Sequence, residues 1–139
     1  MPNDNLDALH TGKKRVILIV DDEPGAVSMV GDYLTMRGYS VYAAHDGKEG
    51  LNTAKKIMPD MIILDIMMPR MNGYEMLERL KKDENMMSIP VIMLSAKTGE
   101  EDKLKAAQLY SDMYVTKPFE LNDLREKIET VFKIRGADS

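Results

Sequence analysis

Cysteine is absent from the chain, which removes disulfide staples and thiolate metal sites and suits a reducing cytosol. No apolar run approaches the ~20 residues needed to cross a bilayer. The opening stretch MPNDNLDALHTGKKR has no apolar signal-peptide core. Positive charge is not in excess either. A formal net charge of −4 and a pI near 5.2 argue against a broad nucleic-acid-binding surface. Internal repeats, low-complexity tracts and interior linkers are all lacking. The expectation is a cytoplasmic protein with no direct nucleic-acid partner and no membrane partner.

What is present fits one domain: 139 residues, 44% apolar and 30% charged. A chain of this length buries roughly two-thirds of its unfolded surface, enough for a real core. Thirteen methionines stand out. We read them as fillers of core gaps rather than as a flexible binding surface.

Residues 1–13 are polar, lack periodicity and read as a flexible tail; 135–139 read as a second short tail. Between them, residues 14–134 alternate strand and helix patterns. Val16–Val20, Met61–Leu64, Val91–Leu94 and Met113–Val115 are short runs apolar at consecutive positions, as expected of parallel strands covered on both faces. A half-apolar strand, Ser40–Ala44, lies between the first two. Helical patterns follow each strand: Pro24–Arg37, closed by Gly38 as C′ residue, then 47–57, 74–82, 100–109 and Asn122–Lys133. Five strand-helix units predict one α/β domain, doubly wound, with a five-stranded parallel sheet and helices on both faces.

Polar residues then fall in one place. The run IILDIMMPRMNGYE ends an apolar strand on Asp65, before a segment broken by Pro69, Asn72 and Gly73. The first strand likewise runs into Asp21-Asp22-Glu23, the fourth into Ser95 and the fifth into Thr116-Lys117-Pro118. Ligands of open parallel sheets bind beyond the carboxyl ends of the strands. Taken singly, each of these residues passes as a turn, a helix cap or a solvated charge. Together they place carboxylates, a hydroxyl and an ammonium on one edge. Three clustered carboxylates repel by about 4 kcal/mol per pair at ~4 Å and an effective dielectric of 20. A bound cation relieves that, and an oxygen-only donor set with no cysteine or strand-end histidine favours Mg²⁺ over zinc or copper. With Lys117 as a second cation, this describes a phosphoryl-transfer site in which a carboxylate attacks phosphorus.

The pieces ILIVDDEP (17–24), DIMMPRMNGYE (65–75), VIMLSA (91–96) and YVTKPF (114–119) closely resemble the receiver domain of two-component response regulators. That resemblance covers residues 14–134. It implies a CheY-like, flavodoxin-like sheet of order 2-1-3-4-5. Asp65 is then the expected phosphoacceptor, Asp22 a direct Mg²⁺ ligand, and Asp21 its partner acting through water. Met67 would lend its backbone carbonyl to the metal. Ser95 resembles the switch hydroxyl, Lys117 the lysine that pairs with phosphoryl oxygens, and Tyr114 the aromatic switch residue. The Lys117–Pro118 peptide is expected to be cis. The implied phosphodonor is a sensor histidine kinase or a phosphotransfer protein. The implied output is a phosphorylation-dependent change in the face made by the 100–109 helix, the fifth strand and the last helix, read by a downstream target protein. No enzyme activity is implied beyond the domain's own phosphorylation and dephosphorylation.

Some features depart from that pattern. Tyr110-Ser111 stand where a glycine-alanine pair often precedes the fifth strand, so a positive φ at Tyr110 would strain or remodel that corner. Ser95 replaces threonine, a common variant. Glu23 is placed to assist the metal but reads rather as a residue facing solvent or capping the first helix, and His10 and His45 read as surface residues. Gly73 is expected in a backbone conformation other residues adopt poorly. Two other readings compete. An aspartate-nucleophile phosphatase of the haloacid dehalogenase type usually carries a second aspartate two residues on, where Met67 stands, and a cap insertion that is missing. An interaction module independent of phosphorylation would not need the acid pair, Ser95 and Lys117 together. A nucleotide site at Gly12-Lys13 lacks its upstream glycine. The chain reads as a stand-alone receiver or as a piece of a longer regulator or hybrid kinase.

Overall fold

A computed structural model describes residues 14–96 and 111–135. The expected 100–109 helix, Tyr110, His10, Gly12-Lys13 and the tails at 1–13 and 136–139 lie outside the described residues.

Five short strands, β1 (Val16–Val20), β2 (Ser40–Ala44), β3 (Met61–Asp65), β4 (Val91–Ser95) and β5 (Met113–Thr116), form one parallel sheet. Its order is 2-1-3-4-5, as the resemblance implied. The described helices are α1 (Pro24–Met36), α2 (Gly47–Ile57), α3 (Gly73–Lys81) and α4 (Leu121–Ile134). β3 and β4 are buried at every position, the condition that continuous apolar runs signal. β2 is half-exposed because it is an edge strand.

Alternation along the strands divides the core in two. Leu18, Val20, Ile62, Leu64 and Met93 face α2 and α3, whose Ala54, Met76, Leu77 and Leu80 complete that layer. Ile17, Ile19, Ile63, Ile92, Leu94 and Val115 face α1 and α4, meeting Val30, Leu34, Leu124 and Ile128. Helices therefore cover both faces. Met61, Met68, Met76, Met86 and Met93 are buried as expected, but Met29, Met36, Met58, Met67 and Met87 are exposed, which corrects the core-filling reading for those five.

Helix ends follow local chemistry. Gly38 takes φ 102° just past α1, and the Tyr39 N–H donates to the Leu34 carbonyl. Glu23 occupies the N-cap position of α1 but makes no side-chain cap bond. α2 and α3 begin with one shared pattern, Asp46-Gly47-Lys48-Glu49 and Asn72-Gly73-Tyr74-Glu75. In each, the cap side chain accepts from the glutamate N–H, at 2.8 and 3.0 Å. Asn72 and Glu75 complete a reciprocal capping box.

Candidate functional site

The carboxyl ends of β1, β3, β4 and β5 lie side by side in the sheet, and the site grows from that adjacency. Asp65 is the last residue of β3 and is only 4% exposed. Asp21, just past β1, is equally buried, while Asp22 faces solvent. One carboxylate oxygen from each of Asp21, Asp22 and Asp65 can be chosen so that all three lie within 4.8 Å of one another. At that separation a pair of charges repels by about 3–4 kcal/mol at an effective dielectric of 20.

Lys117, just past β5, offsets part of this. Its Nζ lies 3.1 Å from Asp65 Oδ1 and 3.5 Å from Asp21 Oδ2. Burial pulls the lysine's pKa down, but its bonds to Asp65 and Asp21 outweigh that and leave it raised, so it is held as an ammonium. For Asp65 the balance goes the other way. Desolvation, aided by the charge of Asp21 and only partly countered by Lys117, raises its carboxyl from 3.8 to about 6. One ammonium is too little for three carboxylates. The donor set is all oxygen and short of positive charge, which fits a hard divalent cation such as Mg²⁺.

The remaining positions surround this pair. Ser95 ends β4, fully buried, and its carbonyl accepts from the Lys117 N–H at 2.7 Å. The Lys117–Pro118 peptide is cis. Tyr114 lies in β5, partly buried against the α2–α3 layer. Met67 follows β3 by two residues with its side chain exposed. Asp21 also does the turn duty its position suggested, its Oδ1 accepting from the Glu23 N–H at 3.0 Å. His45 is exposed, and its backbone N–H donates to Glu49 Oε1 at 2.8 Å.

The loop after Asp65 corrects one expectation. Gly73 is not in the left-handed region; Arg70 is, at φ 66°. What Gly73 supplies is space. A Cβ there would lie 2.6 Å from the Asp65 carbonyl oxygen and 2.8 Å from Ile66 Cα. Reading the sequence also missed that this loop rests on α2. Arg70 pairs with Asp46 at 3.6 Å, and Met71 lies against Gly47.

The family model of the response regulator receiver domain matches residues 17–129. The DNA-binding dual master transcriptional regulator RpaA of Synechocystis is 37% identical over 117 residues, which is 84% of this chain and 48% of that protein. The chain spans about half the length of the curated relatives it matches. Among solved structures, the chemotaxis response regulator CheY4 of Vibrio cholerae is 31% identical with a TM-score of 0.81, over 86% of this chain and 99% of that one. A CheY-like receiver domain protein of Methanospirillum hungatei gives 0.84 at 28% identity, over 91% and 100%.

Proposed function

Since the chain belongs to the response regulator receiver family, a phosphoacceptor domain of two-component signalling, we propose that Asp65 is its acceptor carboxylate and that Asp21, Asp22 and Lys117 serve it. The observation that carries this is the meeting of three carboxylates and one ammonium at the carboxyl end of the sheet, with Lys117 3.1 Å from Asp65.

Ionised Asp65 attacks the phosphorus of a phosphohistidine on a histidine kinase or phosphotransfer protein. A carboxylate oxygen–phosphorus bond forms, the phosphorus–nitrogen bond breaks, and its electron pair returns to the imidazole. Burial at the end of a rigid strand holds the nucleophile in place and limits water at the acyl phosphate. Lys117 stays protonated and pairs with a phosphoryl oxygen. Asp21, Asp22, Asp65 and the Met67 carbonyl would hold Mg²⁺, which when bound neutralises charge on the transferring group.

Ser95 then donates its hydroxyl to the phosphoryl group, and Tyr114 follows, so that phosphorylation selects one of two packings of the face formed by β5 and α4. A downstream target reads that face. The chemistry ends with the domain's own phosphorylation and hydrolysis. Both α/β geometry and the four-strand convergence favour this over a binding module indifferent to phosphate, which has no need of a buried Asp65 beside Lys117.

Intact-mass measurement after incubation with acetyl phosphate and Mg²⁺ tests it. Wild-type protein is expected to gain one phosphoryl group and Asp65→Asn none. An equal adduct on Asp65→Asn, or none on wild type, overturns the assignment.

A further inference from the structure

The 66–72 loop is pinned at both ends but bent in the middle. Ile66 donates its N–H to the Leu94 carbonyl, and Gly73 donates its N–H to the Ile66 carbonyl. Between them Arg70 sits at φ 66°, a conformation an L residue keeps only where its surroundings hold it there. The Arg70–Asp46 pair is a weak restraint: it spans 3.6 Å and the arginine side chain is 78% exposed. Met71 is the stronger one. It packs on the first residue of α2, Gly47, so closely that a Cβ on Gly47 would lie 2.7 Å from its Sδ and 2.9 Å from its Cβ and Cγ.

We infer that Met71, seated on Gly47, is a positioning residue for the acceptor site: it sets the placement of the loop that carries the Met67 carbonyl beside Asp65. This rests on the reading of Asp65 and Met67 proposed above. The Met71 Sδ could swing away from an added methyl group, but its Cβ moves only with the loop backbone. Crowding at Gly47 is therefore transmitted to the loop, four residues from Met67. Gly47 itself has no positive φ and opens a helix, so alanine suits α2 better than glycine does. Any loss on substitution must come through Met71.

A double-mutant cycle decides the matter, with Mg²⁺ alone as the probe and calorimetric affinity as the readout. Gly47→Ala is expected to weaken Mg²⁺ binding about tenfold, as displacement of supporting contacts does at metal sites. In a Met71→Gly background the same change is expected to cost less than about twofold, because no side chain remains to be pushed. Equal losses in both backgrounds, or none in either, overturn the inference. Should Gly47→Ala not fold, Met71→Gly carries the test by itself. It introduces no clash and is expected to weaken Mg²⁺ about threefold or more by freeing the loop; unchanged affinity there overturns the inference as well. Wild-type protein that neither binds Mg²⁺ nor gains a phosphoryl group brings down the underlying reading. A sound wild type with an additive cycle brings down this inference alone.

Discussion

Gly73→Ala asks whether the start of α3, packed on the end of β3, needs glycine for its backbone angle or for its lack of a side chain. The added Cβ meets the Asp65 carbonyl oxygen at 2.6 Å, Ile66 Cα at 2.8 Å and the Asp65 carbonyl carbon at 3.1 Å. All three are backbone atoms, so no rotamer change relieves the contact and α3 must back away from β3. Overpacking of this kind costs about 1–3 kcal/mol, and rigid neighbours place it at the upper end. Retreat of α3 also lengthens the 2.9 Å bond from the Gly73 N–H to the Ile66 carbonyl, worth about 1 kcal/mol. Alanine's better helix propensity returns up to ~1 kcal/mol. The net is a loss of about 2–3 kcal/mol, or roughly 10 °C in Tm for a chain of this size. Gly25→Ala is the control, since nothing lies within 4 Å of its added Cβ; it is expected to leave stability unchanged or raise it by up to ~1 kcal/mol. Gly73→Asn separates the two accounts. Asparagine tolerates the left-handed region but carries a Cβ, so it is expected to cost at least as much as alanine. Thermal and urea unfolding in parallel give all three values. A Gly73→Asn protein near wild-type stability, beside a damaged Gly73→Ala, refutes the steric account.

Two more perturbations bear on the charges. The Asp65 carboxyl is raised from 3.8 to about 6 by burial, so its neutral form favours the folded state. That contribution is fully present below about pH 4 and is lost as pH rises through about 6, a swing of about 1–3 kcal/mol after allowance for solvent screening. Urea unfolding in EDTA at pH 5 and pH 7 is expected to show wild type losing stability relative to Asp65→Asn; parallel pH profiles would contradict the assigned shift. Lys117→Gln keeps the volume and removes the only ammonium paired with Asp65 among the described residues. Phosphorylation by acetyl phosphate is expected to slow more than about tenfold, with the Asp65 titration, followed by NMR, moving above about 6. A rate within twofold of wild type would remove Lys117 from the site.

How much of this was readable in the chain follows from which properties are local. β3 and β4 were visible because a strand covered on both faces cannot disguise its apolar run. Asp21, Asp65 and Ser95 each follow an apolar run directly and Lys117 follows one after a single residue, so the four were visible as a set. Strand limits were less so. Asp65, Ser95 and Thr116 lie inside their strands, where the apolar pattern stops one residue short, since backbone pairing continues past the last apolar side chain. The role of Gly73 was misread for a similar reason: glycine in a broken segment suggests an unusual φ, whereas the pressure on it comes from Asp65, eight residues away. Arg70 took the left-handed position without any residue-type signal. Nor could Met36, 83% exposed, be told from Met76, fully buried, by residue type alone.

The energies available at the site also bound what phosphorylation can accomplish. Lys117 is bonded to Asp65 already, so it has a partner with or without the phosphoryl group and contributes little to the difference between states. In the switch proposed above, the contact added on phosphorylation is that of the Ser95 hydroxyl, and a hydrogen bond to a charged group contributes at most about 1.5–3 kcal/mol. Moving a two-state equilibrium from 1:99 to 99:1 needs about 5.5 kcal/mol. A single hydroxyl therefore shifts populations by about ten- to a hundredfold and no further. Either the two packings of the β5 face lie within a few kcal/mol of each other before phosphorylation, or the downstream target supplies the rest by binding only one of them. In both cases the proposed switch requires the unphosphorylated domain to sample its active packing, and makes the partner's preference between the two packings set the strength of the signal as much as the phosphoryl group does.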